Sequence, residues 1–315
     1  MIEYHRYTLR SRDEGGLNAR STRRELEGAL IRVDGVGVGC IHPWPELGDP
    51  NLDQQFGAME LGRPHPLAVC ALECAAIDGD ARRAGRWLFE DLVIPGSHWT
   101  AGPSDDPEAV AADGFDTAKL KLGPEIELEL GKVENWGSAE GIERLRLDFN
   151  ESLNADAFVE FWRGLSAAVR AKIDFVEDPF LYDFDQWTEI ESKTGAVLAL
   201  DRQVAEFGDE WPGVVVVKPA TVEQSEIGIL DAAKLRRLVF TSYMDHAIGQ
   251  CWATYVAAIH QAGANVAAGL LTHERFETDE FFNRIQRVGN VLRPPRGTGL
   301  GFDEQLEALP WKPLN

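Results

Sequence analysis

Positive charge is scarce in this chain. Against 52 Asp and Glu there are 31 Lys and Arg in 315 residues, a formal charge of −21. That balance repels phosphate backbones and anionic lipid surfaces, which argues against nucleic acid and membranes as partners. A small anionic substrate remains open, because a local group of lysines can attract it against the overall field. Long apolar runs are missing, so no segment reads as a membrane span. The opening Met1-Ile-Glu-Tyr-His-Arg lacks the basic-then-apolar order of a signal peptide. Cysteine is rare too: Cys40, Cys70, Cys74 and Cys251 are too few for a disulfide framework. Cys70 and Cys74 lie one helical turn apart in an Ala- and Leu-rich run and read as buried free thiols. These features together predict a reducing, cytoplasmic location.

What is present is a change of pattern along the chain. Residues 1–91 read as an α+β unit. Tyr4 to Arg10 alternates, and the runs from Glu27 and from Gly35 read as two strands around a turn at Asp34-Gly35. Glycines 35, 37 and 39 have the wrong spacing for a dinucleotide fingerprint and no helix follows, so they predict a close-packed hairpin. A helix is expected over about 67–88. From Leu92 to residue 289, strand and helix alternate. The predicted strands begin at Leu92-Val-Ile-Pro, then carry Lys119 and Lys121, Asp148, Glu177, Asp201 and Lys218, and continue through Leu238–Tyr243 and Asn265–Thr272. Asp106 and Asn154 are expected to cap helices, and the connection after Asp201 leaves room only for a stunted one. Eight strands with covered faces predict α/β architecture, a modified (β/α)8 TIM-type barrel with an N-terminal α+β capping domain. Residues 290–315, with Arg293-Pro-Pro-Arg and Pro310-Trp-Lys-Pro, show no barrel pattern and are expected to return to the capping domain.

The strand ends carry the chemistry. Lys119 and Lys121 alternate with Leu120 and Leu122, so both amines share one face. Asp148, Glu177 and Asp201 end the next three strands, and Lys218-Pro219 ends the sixth. In a barrel, strand ends meet at one mouth. Three carboxylates there suit a hard divalent cation, Mg²⁺, with Mn²⁺ as a substitute. A cation and a second ammonium near Lys121 would lower its pKa and leave a neutral amine able to act as base. His246, His260 and His273 share no metal-ligand spacing and read as surface or core histidines.

This series, Lys-x-Lys, Asp-x-Asn, Glu-Asp-Pro, Asp and Lys-Pro in that order, resembles the enolase superfamily over nearly the whole chain. The resemblance is to its muconate-lactonizing-enzyme-like branch, and within that branch to the o-succinylbenzoate synthases. Thr241-Ser-Tyr-Met-Asp-His-Ala-Ile-Gly249 and Gly269-Leu-Leu-Thr add to it. The resemblance implies a Mg²⁺-dependent lyase that eliminates water from 2-succinyl-6-hydroxy-2,4-cyclohexadiene-1-carboxylate in menaquinone biosynthesis. Lys121 would take the α-proton, Lys218 would stabilise the enediolate, and Lys119 would bind the substrate carboxylate or depress the pKa of Lys121. Asp148, Glu177 and Asp201 would hold the metal, with Asn150 and Asp178 behind them. Thr241, Ser242 and Gly249 would line the succinyl pocket, and the loop Gly15–Arg24 would close over the substrate.

One position departs from the pattern: Arg202 follows Asp201 where many such enzymes carry an acid. That departure favours one-base elimination over racemisation. N-acylamino acid racemisation by Lys121 and Lys218 is the nearest alternative. A Schiff-base aldolase using Lys218 leaves the three acids without a purpose. A non-catalytic binding scaffold does the same for the whole set of polar strand ends.

Overall fold

A computed structural model describes residues 1–12, 23–232, 237–260 and 266–314. The expected closing loop Gly15–Arg24 lies, but for Arg23 and Arg24, outside the described residues. The chain divides into two compact units. One comprises residues 1–96, 218–227 and 240–315, the other 97–217 and 228–239.

The first unit opens with β1 (Ile2–Arg10), β2 (Glu25–Val33) and β3 (Gly37–Ile41), paired antiparallel. Asp34 and Gly35 make the β2–β3 turn with φ of 52° and 70°, the left-handed pair that suits the twist of a hairpin. Helix α1 (Leu52–Glu60) starts on Asn51, whose side chain accepts from Gln54 N while the Gln54 side chain accepts from Asn51 N. Helix α2 (Pro66–Arg83) starts on a proline whose missing N–H is not needed there. The expected hairpin packing has a concrete cause: a Cβ on Gly37 would stand 1.9 Å from the Ala75 carbonyl oxygen, and one on Gly39 2.0 Å from that of Ala71. Only glycine lets β3 lie this close to α2. Ala29, Ile31, Ile41, Leu52, Phe56, Leu67, Ala68 and Ala71 fill the core beside them.

The second unit is built on strands alternating with helices: β4 (Trp99–Thr100), α3 (Pro107–Ala112), β5 (Thr117–Lys121), α4 (Ile126–Ser138), β6 (Arg144–Asp148), α5 (Ala155–Gly164), α6 (Ala167–Arg170), β7 (Ile173–Glu177), α7 (Phe184–Thr194), β8 (Leu198–Leu200), α8 (Val204–Phe207), β9 (Val214–Val217), α9 (Gln224–Ala232) and β10 (Arg237–Phe240). The sheet order is β10-β9-β8-β7-β6-β5-β4, and β4 to β9 run parallel to their neighbours. Asp106 and Asn154 cap α3 and α5 as expected, accepting from Ala109 N and Ala157 N. The stunted helix after Asp201 is α8, four residues long. Each Val of β9 is buried, as both-sided coverage requires.

Two expected strands differ. Leu92–Pro95 is not a strand: Val93 is exposed and Pro95 has no N–H to give a ladder, and the first parallel strand is β4, with Trp99 opposite Ala118 and Thr100 opposite Lys119. In the described part of Asn265–Thr272 the pairing shrinks to a parallel bridge between Gly269 and Thr241. Gly269 gives no side chain to pack, and a 3₁₀ turn begins at Thr272. The chain then continues, in the first unit, through α10 (Ala247–His260), the hairpin β11 (Gln286–Val288) and β12 (Val291–Arg293), α11 (Asp303–Ala308) and β13 (Lys312–Pro313). β13 pairs with β1, Tyr4 opposite Lys312.

Candidate active site

Parallel pairing places Lys121 opposite Asp148 and Asp148 opposite Glu177, so one rung of the sheet carries an amine and two acids. Glu177 is opposite Ala199, and Asp201, two residues on, returns to the same face. The rung before it carries Lys119 opposite Arg146 and Arg146 opposite Phe175. Alternation thus puts both lysines and all three acids on one face, as the sequence predicts.

Lys119 sits among the acids. Its Nζ lies 2.5 Å from Glu177 Oε2 and 3.0 Å from Asp148 Oδ2. Burial alone would lower its pKa, but Asp148, Glu177 and Asp201 outweigh burial and hold the ammonium above its usual range. Glu177 is fully buried. Burial pushes its carboxyl up, Lys119 pulls it down, and Asp148 and Asp201 push it up again. The net direction is up, because burial together with the two neighbouring acids outweighs the one ammonium. Glu177 Oε1 is buried and accepts no hydrogen bond from the described residues.

Behind this row the loops are tied to one another. Asn150 donates to Asp148 Oδ1 through its side chain at 2.7 Å and its backbone at 3.2 Å. Asp178 accepts from Asp201 N at 3.1 Å and from Arg202 N at 2.9 Å. Burial and the neighbouring Asp201 push the Asp178 carboxyl up while these bonds hold it down; the net direction is up. Asn150, Glu151 and Asp178 all have left-handed backbone, with φ of 48°, 61° and 38°. Non-glycine residues in that region cost on the order of 1 kcal/mol each and cluster at functional sites. Arg202, which reads in sequence as a lost acid, places Nη1 3.3 Å from Glu151 Oε2.

Among the described residues, no three His, Cys, Asp or Glu already close on a point where a metal would sit. Lys119 stands between two of the acids instead. The residues nevertheless fit a hard divalent cation. The donors are all oxygens. One buried oxygen of Glu177 has no protein partner. By formal charge the acids Asp148, Glu151, Glu177, Asp178 and Asp201 outnumber the cations Lys119, Lys121 and Arg202 by two.

Sequence reasoning missed a layer beneath. Arg146, two residues before Asp148 and therefore on the same face, is buried. It bonds Asp174 Oδ2 at 3.0 Å and His98 Nδ1 at 2.8 Å, over the Phe175 ring. Burial, Arg146 and Lys119 keep His98 well below its ordinary pKa, so it is neutral and accepts from the guanidinium. The parity that selects Lys119 and Lys121 also selects Arg146; Asp174 and His98 left no such sign.

The other predicted residues belong to the first unit. Lys218 directly follows β9, and its Nζ lies 5.8 Å from the Tyr243 ring centroid. Tyr243 OH donates to Asp49 Oδ2 at 2.9 Å, which also accepts from Trp44 N. Thr241 Oγ1 is buried without a hydrogen bond among the described residues. Ser242 Oγ meets Thr272 Oγ1 at 2.6 Å. Gly249 lies in the first turn of α10, where a Cβ would stand 2.0 Å from Asp245 Oδ2. His246 and His273 are buried, His246 packing on Tyr7 and Phe281.

Comparison with known proteins agrees with this geometry. The family described as "O-succinylbenzoate synthase, N-terminal domain" matches residues 2–81, and "Enolase C-terminal domain-like" matches residues 106–308. An o-succinylbenzoate synthase of Bdellovibrio bacteriovorus is 31% identical, covering 99% of this chain and 98% of that protein. A hydrophobic dipeptide epimerase of Enterococcus faecalis is 27% identical, covering 85% and 78%. Among solved structures, a dipeptide epimerase from Enterococcus faecalis complexed with Mg and the dipeptide L-Leu-L-Tyr superposes with a TM-score of 0.76 at 19% identity, over 95% of this chain and 98% of that one. The chain belongs to the enolase superfamily, in its muconate-lactonizing-enzyme-like branch, and is similar there to o-succinylbenzoate synthases. It is an enzyme whose fold class is the modified (β/α)8 barrel with an N-terminal α+β domain. No helix among the described residues is long and apolar enough to cross a membrane.

Proposed function

We propose that the enzyme is an o-succinylbenzoate synthase, a hydro-lyase of menaquinone biosynthesis that removes water from 2-succinyl-6-hydroxy-2,4-cyclohexadiene-1-carboxylate. The observation that carries this reading is the rung Lys121–Asp148–Glu177, with Lys119 shared between two acids that still lack charge compensation. Asp148, Glu177 and Asp201 would hold Mg²⁺. When bound, the metal supplies positive charge that lowers the cost of placing a second negative charge on the substrate carboxylate.

Lys121 removes the α-proton as a neutral amine, leaving the enediolate. The same side chain, now an ammonium, returns a proton to the departing hydroxyl, so water leaves on the face from which the proton was taken and the ring becomes aromatic. Lys218 stabilises the enediolate by charge. Lys119 compensates Asp148 and Glu177 in part, a task its two carboxylate contacts support. Asn150 and Asp178 orient Asp148 and Asp201 through the hydrogen bonds described above. Thr241, Ser242 and Gly249 are assigned to the succinyl arm. Residues 1–91 form the capping domain, 92–289 the barrel and 290–315 the returning segment.

Conversion of the cyclohexadiene substrate to o-succinylbenzoate, followed in the ultraviolet with and without Mg²⁺, tests the reading. Lys121→Ala is expected to lose about 10³-fold in kcat with its circular dichroism unchanged. An active Lys121→Ala enzyme would mean that another group is the base. The related dipeptide epimerase makes proton exchange at an α-carbon the second reading. Exchange of the α-proton of a stereodefined N-acylamino acid in deuterium oxide, without dehydration of the cyclohexadiene, would establish it instead.

A further inference from the structure

The loops after β6 and β8 are not neighbours, because β7 runs between their strands. Yet Arg202 Nη1, after β8, lies 3.3 Å from Glu151 Oε2, after β6. Both side chains are largely buried, 19% and 9% exposed. The residue between them in the sheet is tied to both: Asp178, after β7, gives its carbonyl to Glu151 N at 2.7 Å and its carboxylate to Arg202 N at 2.9 Å and Asp201 N at 3.1 Å. The three left-handed residues Asn150, Glu151 and Asp178 fall inside this same ring of contacts. Backbone in that region persists only where its surroundings over-determine it. Asp148 is held from within the ring by Asn150, and Asp201 directly by Asp178.

We infer that Arg202 is a positioning residue: its ion pair with Glu151 is a strut across β7 that holds the Asp148 and Asp201 loops at the separation a divalent cation requires. The inference rests on the reading of Asp148, Glu177 and Asp201 as the cation site. Arg202 is an unusual choice for such a place, since its charge works against cation binding at any distance. The strut and the simple charge effect therefore predict opposite signs. If Arg202 acts only as a nearby positive charge, removing it strengthens Mg²⁺ binding. If it is a strut, removing it lets the two loops move apart, the ligand geometry is lost, and binding weakens despite the added negative charge of Glu151.

Mg²⁺ binding is measured by calorimetry on the intact protein, with thermal unfolding of the metal-free form as the check on folding. Arg202→Met is expected to bind Mg²⁺ about tenfold more weakly, the usual effect of removing a residue that orients metal ligands. Arg202→Lys keeps the charge but loses the planar fork, and is expected to fall between Arg202→Met and the parent. The exchange Glu151→Arg with Arg202→Glu keeps the net charge and is expected to recover most of the loss. Unchanged or tighter binding by Arg202→Met overturns the strut. Should Arg202→Met not fold, unchanged binding by Arg202→Lys together with no recovery in the exchanged pair overturns it. A parent protein that binds no Mg²⁺ overturns the cation site itself, and the inference with it.

Discussion

Lys119 shows why this site asks for a cation. Its single ammonium touches Asp148 and Glu177, while Asp201 adds negative charge nearby and Glu177 has almost no access to water. A buried pair broken by removal of one partner costs roughly 3–5 kcal/mol, because the remaining charge is stranded. Lys119→Met is therefore expected to lose about 3 kcal/mol of stability in EDTA and to regain part of it on adding Mg²⁺. Urea unfolding with and without the metal measures this, and an equal loss in both conditions would contradict it. Asp245 gives an independent residue-scale test, far from any proposed metal ligand in the sequence. Burial raises its carboxyl to about 7 from an ordinary 3.8, and its buried Oδ1 has no hydrogen-bond partner among the described residues. A folded-state pKa raised in this way favours folding below the unfolded value, and that contribution disappears as pH rises through 7. Asp245→Asn is expected to be more stable relative to the parent at about pH 8 than at about pH 5, by roughly 2–4 kcal/mol for a shift of this size. The same difference at both pH values in urea unfolding would show that Asp245 does not titrate with folding.

Among the elements, the strands that carry chemistry were the most legible. Thr117–Lys121, Arg144–Asp148 and Ile173–Glu177 are unbroken apolar or alternating runs that end in a charge, and they form where that pattern places them. Helix starts at Asp106 and Asn154 were equally legible, because a cap is a local bond. Leu92–Pro95 misled because its apolar run is short and its proline cannot join a ladder, and the eighth strand because Gly269 leaves only a bridge. The Glu151–Arg202 pair could not be read from the chain at all: it depends on left-handed loop backbone that no periodicity encodes. Arg146 was legible in principle, by the same two-residue step from Asp148 that ordered the lysines. The glycines of β3 carry a prediction at this scale. Gly39→Ala drives a methyl group into the Ala71 carbonyl of α2, where backbone faces backbone and neither side chain can yield. It is expected to cost about 3 kcal/mol or more, measured by urea unfolding. A loss below about 1 kcal/mol would mean that β3 and α2 separate easily.

At the scale of the whole molecule, acidity and function are reconciled by placement. A chain of formal charge −21 works on an anionic substrate only if positive charge is concentrated at the reacting centre. Lys119 and Lys121 on β5 and Arg202 after β8 stand at strand ends of the second unit, and by formal charge the acids Asp148, Glu151, Glu177, Asp178 and Asp201 outnumber them by two. A bound divalent cation would neutralise that formal excess. The superfamily to which the chain belongs supplies the fold, and the buried acids at these strand ends are where the proposed metal would sit. The most direct test is a crystal grown with Mn²⁺ and measured at the manganese absorption edge. The account predicts one anomalous peak about 2.2 Å from oxygens of Asp148, Glu177 and Asp201, with the Lys119 ammonium moved off the Glu177 carboxylate. An absent peak, or one bound elsewhere while Lys119 still bridges Asp148 and Glu177, would contradict it.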